Sequence, residues 1–165
     1  MKKIKNEYVL DIDVLPNRAG DCFSHIGIAR EAAAVTGLIF SKGAEKFKLL
    51  EDKKINTKDF VSVDVRSQSV CPRYTARVVT NVKVDPSPKW LKDRLESCGL
   101  NSINNIVDIT NYVMLETGQP LHVFDADKIS GGITARRANK GEVIEIIDPV
   151  RSRSPQGDSS HSPEA

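Results

Sequence analysis

The chain contains 165 residues, of which 39% are hydrophobic and 5% aromatic, and its 24 basic and 22 acidic residues give a formal net charge of +2. This length accommodates one domain or one and a half, with a core poor in large side chains. The nearly balanced charge argues against a protein that binds nucleic acid through a generally basic surface. The sequence lacks a run of about 18 apolar residues, so we expect no membrane-spanning helix.

Three widely spaced cysteines, Cys22, Cys71 and Cys98, indicate free thiols in a reducing compartment, so we expect the protein in the cytoplasm. Cys22 and His25 form an isolated C-x-x-H pair. Because no other potential ligands follow at the spacing of a zinc site, we expect no bound metal.

The first predicted elements are a strand and a helix. Apolar and polar residues alternate over residues 8–14, which is typical of a half-buried strand. Asp21 is a suitable N-cap for an alanine-rich helix over residues 22–36, and Gly37 ends that helix. Arg18 lies in the turn before the helix, where we expect it to form a stabilising ion pair with Asp21.

The next stretch, residues 41–58, contains six lysines interleaved with acidic residues. This pattern is typical of a solvated linker between two modules, although a phosphate-contacting patch remains an alternative. Alternating residues then predict strands at 61–65 and 74–78, the second of which extends to residue 84. Arg73 and Arg77 share one face of the second strand, which is either solvated or in contact with a phosphate backbone.

Two helices are predicted in the centre of the chain. Ser87 as the N-cap and Pro88 at the first helical position predict the start of one helix, and Gly99 predicts its end. Its apolar stripe consists of Leu91, Leu95 and Cys98. Trp90 lies one position from this stripe and either joins the core or forms an exposed contact, and we favour the core.

The second of these helices is predicted over residues 105–117, with Ile106, Ile109 and Val113 on one face. The N-cap candidates are Asn104, Asn105 and Asp108. Gly118 suits a left-handed C-terminal residue, and Pro120 prevents the helix from continuing. His122 follows between two apolar residues, where it either points into a cleft or forms a structural hydrogen bond.

Gly131 and Gly132 mark a turn, after which residues 133–136 and 143–146 are predicted to form a hairpin. Because helices do not follow every strand, the pattern favours an α+β fold, with a mixed sheet on which helices pack, over a doubly wound sheet. Residues 151–165 are rich in serine and lack large aliphatic side chains, so we expect disorder there.

Three segments resemble, in the same order, the beta subunit of bacterial phenylalanyl-tRNA synthetase. They are VLPNRAGDCFSHIGIAREAAAVTG (14–37), CPRYTARVV (71–79) and VDITNYVMLETGQPLHVFDADKISGGITAR (107–136). The resemblance implies that residues 1–40 are the end of the subunit's first module and that 41–58 are a linker. Residues 59–150 then correspond to the first half of the tRNA-editing domain, and 151–165 to a disordered Ser/Pro tail.

The resemblance also implies a function. In this family an alpha subunit charges tRNA(Phe) with ATP and magnesium within a heterotetramer, so no cofactor is expected on this chain. The beta subunit's editing domain hydrolyses tyrosine wrongly attached to that tRNA. Its Gly-Gln-Pro-x-His element is matched by Gly118, Gln119, Pro120 and His122, and His122 is implied to orient the ester or the attacking water. Asn101 stands where the family often has an arginine that lines the pocket.

The resemblance stops at Asp148, and the family's acidic residue that recognises the tyrosine hydroxyl group lies beyond this point. We therefore expect an incomplete editing-type tRNA-binding domain within a fragment of the beta subunit that is inactive alone. Two alternatives remain open: a free-standing module that binds or deacylates tRNA, and a docking module without chemistry.

Overall fold

The structure is a computed structural model that describes residues 2–4, 7–41 and 50–143. In chain order its elements are β1 (Lys2–Ile4), β2 (Glu7–Val9), α1 (Ala19–Cys22), α2 (His25–Thr36), β3 (Val63–Val65), α3 (Lys89–Ser97), α4 (Asn105–Thr117) and β4 (Ile133–Ala135). Short 3-10 turns lie at Pro16–Arg18, Thr57–Asp59 and Ala126–Lys128. The mixture of helices and small sheets confirms the α+β class.

The two sheets within the described residues have two strands each. β1 and β2 are antiparallel, with Lys3 opposite Tyr8. β3 and β4 are parallel, with Asp64 opposite Thr134, and the connection between them contains α3 and α4. Gly132 and Ser62 lie next to each other just before the paired strands. A Cβ atom on Gly132 would lie 2.1 Å from Ser62 Oγ, so the close approach of these two segments requires glycine at position 132.

The buried core lies between α3 and α4, which pack against each other. Leu91 and Leu95 of α3 are 2% and 0% exposed, as their stripe predicts. Cys98, the third residue of the predicted stripe, is exposed, because it lies at the C-cap where the helix ends. Trp90 is 55% exposed and meets Tyr112 of α4 edge to face, with ring centroids 5.6 Å apart. The prediction that Trp90 joins the core is therefore wrong, because its ring covers the outside of the helix pair instead.

The predicted helix over residues 22–36 is wrong at its start, because the backbone breaks between α1 and α2. Ser24 is extended there, and its hydroxyl oxygen accepts the Gly27 N–H at 2.9 Å, so Ser24 and not Asp21 is the N-cap of α2. The end is as predicted, since Gly37 is left-handed with φ of 70°.

The start of α3 also differs from its prediction. Pro88 is its N-cap residue and Lys89 its first helical residue, so the prediction of Ser87 as N-cap and Pro88 as first residue is one position early. The Ser87 hydroxyl group instead donates a hydrogen bond to Asp108 Oδ2 in α4. A tertiary partner has therefore replaced the local cap.

The strand predictions are met only in part. The strand predicted at 8–14 ends at Val9, and residues 74–84 contain no strand, although Tyr74, Ala76 and Val78 are half-buried and alternate with exposed neighbours. The strand predicted at 61–65 is β3, and the first strand of the predicted hairpin is β4. The second strand of that hairpin lies outside the described residues from position 144 onward, as does the predicted tail. Within the described ranges, no helix is long and apolar enough to cross a bilayer.

Candidate functional site

The C-terminal end of α4 is fixed by a set of hydrogen bonds. Gly118 has φ of 77°, and its N–H donates to Met114 O at 2.8 Å. The Thr117 hydroxyl group donates to Val113 O at 2.7 Å and accepts the Gln119 N–H at 3.2 Å. The left-handed glycine was predicted, and it turns the chain sharply away from the helix axis.

The segment that leaves this end is open to solvent. Pro120 and His122 are exposed, and Leu121, Val123 and Phe124 are about half exposed. Among the described residues, the His122 imidazole has no hydrogen-bonding partner and no ion pair. With respect to the described part of the chain, its two ring nitrogens are therefore available to a ligand or to water.

A cleft of about 200 Å³ lies beside the same end of α4. Its walls include Phe23, Ser24, Gly27 and Arg30 from the first part of the chain and Thr117, Gly118 and Gln119 from the end of α4. The structure thus brings two of the predicted site residues, Gly118 and Gln119, to the mouth of a cleft between α2 and α4. No pattern in the sequence predicts that α2 contributes to this cleft.

Asn101 lies at the other end of α4. A helix of 13 residues is about 20 Å long, so Asn101 before the helix and Gly118 after it mark opposite ends of that length. Asn101 is exposed and engaged in an interaction with its surroundings. The structure therefore does not cluster Asn101 with Gly118.

The N-terminal end of α4 is organised by the buried carboxylate of Asp108, which is 0% exposed. Asp108 Oδ2 accepts hydrogen bonds from the hydroxyl groups of Ser87 and Ser102, and Oδ1 accepts the Ile103 N–H at 2.9 Å. The N-cap is Asn104, whose side-chain oxygen accepts two backbone N–H groups. Of the three candidates, Asn104 fills the cap and Asp108 joins separate segments.

The pKa of Asp108 reflects two opposing effects. Desolvation on burial raises the pKa of this carboxyl group, whereas the hydrogen bonds from Ser102, Ser87 and the backbone lower it. The hydrogen bonds prevail, so the pKa lies below its ordinary value and the group is ionised at neutral pH. Asp108 is therefore a structural carboxylate, buried and hydrogen-bonded to donors from separate segments.

A second charged group connects α1 with α2. Arg18 pairs with Asp21 at 2.8 Å, as predicted, and also with Glu31 at 2.7 Å, which has no signal in the sequence. Its guanidinium group lowers the pKa values of both carboxyl groups, while burial raises the pKa of the Cys22 thiol.

Asp21, Cys22 and Glu31 place potential ligand atoms within 4.8 Å of one another, the one such cluster among the described residues. Arg18 already supplies a positive charge there, since it bonds to both carboxylates and lies 3.2 Å from the Cys22 sulfur. His25, the other member of the C-x-x-H pair, is directed at Leu115 O. This group is therefore an ion-pair network that joins α1 to α2 across the break between them.

Comparison with known proteins identifies the region that contains α3, α4 and β4. The sequence profile of the B3/4 domain family matches residues 70–159. The chain belongs to this family. The match includes the whole of α4 and the exposed segment that follows it, and it extends beyond Asp148, where the resemblance noted in the sequence stops.

Curated relatives match nearly the whole chain. The phenylalanine--tRNA ligase beta subunit of Fusobacterium nucleatum is 48% identical over 149 residues, which cover 88% of this chain and 18% of that protein. The beta subunit of Carboxydothermus hydrogenoformans is 47% identical over 148 residues, with the same two shares. The chain thus spans about a fifth of the length of these relatives and is homologous to one region of the phenylalanine--tRNA ligase beta subunit.

Proposed function

We propose that this chain forms part of the tRNA-editing site of a phenylalanine--tRNA ligase, where it acts with an alpha subunit and tRNA(Phe) in a heterotetramer. The main support is the end of α4, where Gly118 and Gln119 line a cleft and His122 follows with an exposed imidazole. This element belongs to a B3/4 domain match and to a region homologous to the beta subunit.

The need for such a site is physical. A synthetic pocket built for the apolar ring of phenylalanine rejects tyrosine only weakly, because the added hydroxyl group costs little binding energy. A second site that hydrogen-bonds the phenolic hydroxyl group selects tyrosine, since phenylalanine leaves the buried partner unpaired. ATP and magnesium serve the charging reaction on the alpha subunit and have no part in this hydrolysis.

The proposed reaction is hydrolysis of the ester between the tyrosine carboxyl group and a terminal ribose hydroxyl group. A water oxygen attacks the carbonyl carbon, the bond to the ribose oxygen breaks, and the proton released by water passes to the leaving oxygen. We assign His122 to the orientation of the attacking water, whose proton a neutral imidazole nitrogen can accept.

The remaining site residues are assigned to substrate binding. Gly118, Gln119 and Pro120 precede His122 with Leu121 between them, and the backbone at Gly118 lines the cleft without a side chain. Asn101 lies at the opposite end of α4, so we assign it to a part of the substrate distant from the reacting ester. An uncharged amide at position 101 binds a phosphate more weakly than an arginine does.

We further propose that residues 59–150 form one half of the editing domain, preceded by a module at 1–40 and a linker at 41–58. The group that recognises the phenolic hydroxyl is then supplied by another part of the beta subunit. On this proposal, the isolated chain does not turn over tyrosyl-tRNA(Phe).

The test uses a reconstituted heterotetramer in which this chain's matching region replaces the homologous region of the Fusobacterium nucleatum beta subunit. Hydrolysis of tyrosyl-tRNA(Phe) is compared for the unmodified replacement, His122→Ala and Val123→Ala. Val123 is adjacent and 52% exposed but has no polar group, so it is the matched control. Loss of hydrolysis in His122→Ala alone supports the proposal, and equal rates in all three proteins contradict it.

A docking role without chemistry is the second candidate. Apolar side chains are unusually exposed near the N-terminus, including Tyr8 and Leu10, which are both 62% exposed. Such side chains are typical of a surface that another protein covers. If the isolated chain binds tRNA(Phe) or a subunit with an affinity that His122→Ala leaves unchanged, and the replacement enzyme does not depend on His122, this candidate is favoured.

A further inference from the structure

The last turn of α4 has a carbonyl oxygen that the helix itself leaves without a backbone partner. In a regular helix the Gln119 N–H would bond to Leu115 O, but here it bonds to Thr117 Oγ1. His25 Nδ1, from the first residue of α2, lies 3.0 Å from Leu115 O. Because a carbonyl oxygen only accepts, the imidazole carries a proton on Nδ1 and donates it.

A second contact lies beside this hydrogen bond. A Cβ atom on Gly118 would lie 3.3 Å from both Phe23 O and Ser24 Cβ, so the Gly118 backbone lies close to the start of α2. Ser24 is held in turn by the hydrogen bond from Gly27 N–H. The end of α4 therefore contacts α2 at two neighbouring points, the His25 hydrogen bond and the Gly118 backbone.

Within the described part of the chain, the segment that leaves α4, residues 120–124, has no comparable anchor of its own. Residues 120–124 form no hydrogen bond and no ion pair with any described residue, and all are exposed. The direction in which the chain leaves α4 is thus set by the contacts that precede Pro120. Among the hydrogen bonds that the described residues form with the end of α4, the bond from His25 is the one donated by a side chain outside that helix and its C-terminal turn.

We propose that His25 is a positioning residue: its hydrogen bond to Leu115 O holds the end of α4 against α2 and so orients the element that carries His122. The link between His25 and this element stands on geometry alone, whereas its consequence for hydrolysis rests on the proposed function. His25 does not contact the substrate in this account.

A matched pair of substitutions isolates the hydrogen bond. His25→Asn places an amide N–H close to the position of Nδ1, whereas His25→Leu has comparable bulk and no donor. His25 is exposed at the first position of α2, so neither change removes a buried side chain. Hydrogen exchange is measured by NMR on the full chain at the amides of Gly118 and Gln119, which are the hydrogen-bonded amides of the element.

His25→Leu is expected to raise exchange at these two amides about fivefold, the effect of losing one net hydrogen bond, while the amides of α3 remain unchanged. His25→Asn is expected to restore most of the protection. Unchanged exchange in His25→Leu overturns the proposal. Equal loss in both variants also overturns it, because it shows that ring packing and not the donor matters.

Hydrolysis by the reconstituted enzyme separates this inference from the proposed function. His25→Leu is expected to lower kcat for tyrosyl-tRNA(Phe) with little change in KM, and His25→Asn to restore it. If exchange changes as expected but His122→Ala leaves hydrolysis unchanged, the proposed function fails and the positioning stands. If hydrolysis requires His122 but His25→Leu alters neither exchange nor kcat, the positioning role alone fails.

Discussion

The hydroxyl group of Ser87 donates a hydrogen bond to the buried carboxylate of Asp108, and this contact joins the residue before the N-cap of α3 to the first turns of α4. Ser102 and the Ile103 N–H bond to the same carboxylate from the loop between the two helices. Asp108 therefore fixes three segments around one side chain, in a chain whose apolar core is small.

Removal of this carboxylate is predicted to cost much of the stability of the helix pair. Asp108→Ala leaves two hydroxyl groups and one backbone N–H without their partner, so the free energy of unfolding falls by about 3–5 kcal/mol. Urea unfolding followed by circular dichroism measures this change. Asp127→Ala, at an exposed position, is the control and is expected to change it by less than about 0.5 kcal/mol.

The low pKa of Asp108 predicts an acid dependence of stability. The folded state holds this pKa below its unfolded value of about 3.9, so in acid the unfolded state binds more protons than the folded state. The stabilisation is therefore complete above the unfolded pKa and is lost as the pH falls through the folded value. Urea unfolding from pH 6 downward is expected to show this loss in the wild type. A stability that stays constant to below the unfolded pKa contradicts the assignment.

Two left-handed glycines allow the contact between α2 and α4 to be measured. Gly118 has φ of 77°, and a Cβ atom added there would lie 3.3 Å from Ser24 Cβ. Gly37 has φ of 70°, and a Cβ atom added there would have no other atom within 4 Å. Both alanine variants are expected to lose about 1–2 kcal/mol to the left-handed conformation. Gly118→Ala is predicted to lose more, because its methyl group presses on Ser24. Equal losses in the free energy of unfolding contradict this contact.

The turn after β4 contains a carboxyl group, that of Glu142, whose pKa is expected to be unusually low. Arg136 pairs with Glu142 at 2.7 Å, and the Asn139 N–H also bonds to Glu142, which lowers the pKa of Glu142 to about 2. NMR titration of the Glu142 carboxyl carbon measures this value directly. Arg136→Met is expected to move the pKa back toward about 4.3, the value of a free glutamate. A wild-type pKa near that value shows that the ion pair does not form in solution.

The parts of the fold that follow from local signals are predictable from the sequence. Helix α4 begins and ends at the predicted residues, Asn105 and Thr117, because a side-chain cap and a left-handed glycine act within a few residues of each end. Leu91 and Leu95 of the predicted stripe are likewise buried, whereas Cys98, its third residue, is exposed at the end of α3.

The features that depend on tertiary partners are not predictable in this way. Ser87 has the composition of an N-cap, but Asp108 competes for its hydroxyl group. The alternating residues 74–84 fit a strand, yet strand hydrogen bonds require a neighbouring strand, and none pairs with them among the described residues. Glu31 completes the Arg18 network across a helix break that no periodicity indicates.

The candidate site likewise contains some features that are predictable from the local sequence and others that depend on tertiary packing. The sequence places Gly118, Gln119, Pro120 and His122 on one element, and the structure places that element beside a cleft. The position of Ser24 in the wall of this cleft and the hydrogen bond of His25 to Leu115 O depend on the packing of α2 against α4, which sequence spacing does not reveal.

The most direct test of the central claim is the rate constant for tyrosyl-tRNA(Phe) hydrolysis by the reconstituted enzyme that contains this chain's region. We predict that His122→Ala lowers it about 100-fold or more, as the loss of a group that handles the proton of the attacking water requires, and that Val123→Ala leaves it within about twofold. A His122→Ala enzyme that hydrolyses tyrosyl-tRNA(Phe) at the unmodified rate would show that this imidazole has no part in editing.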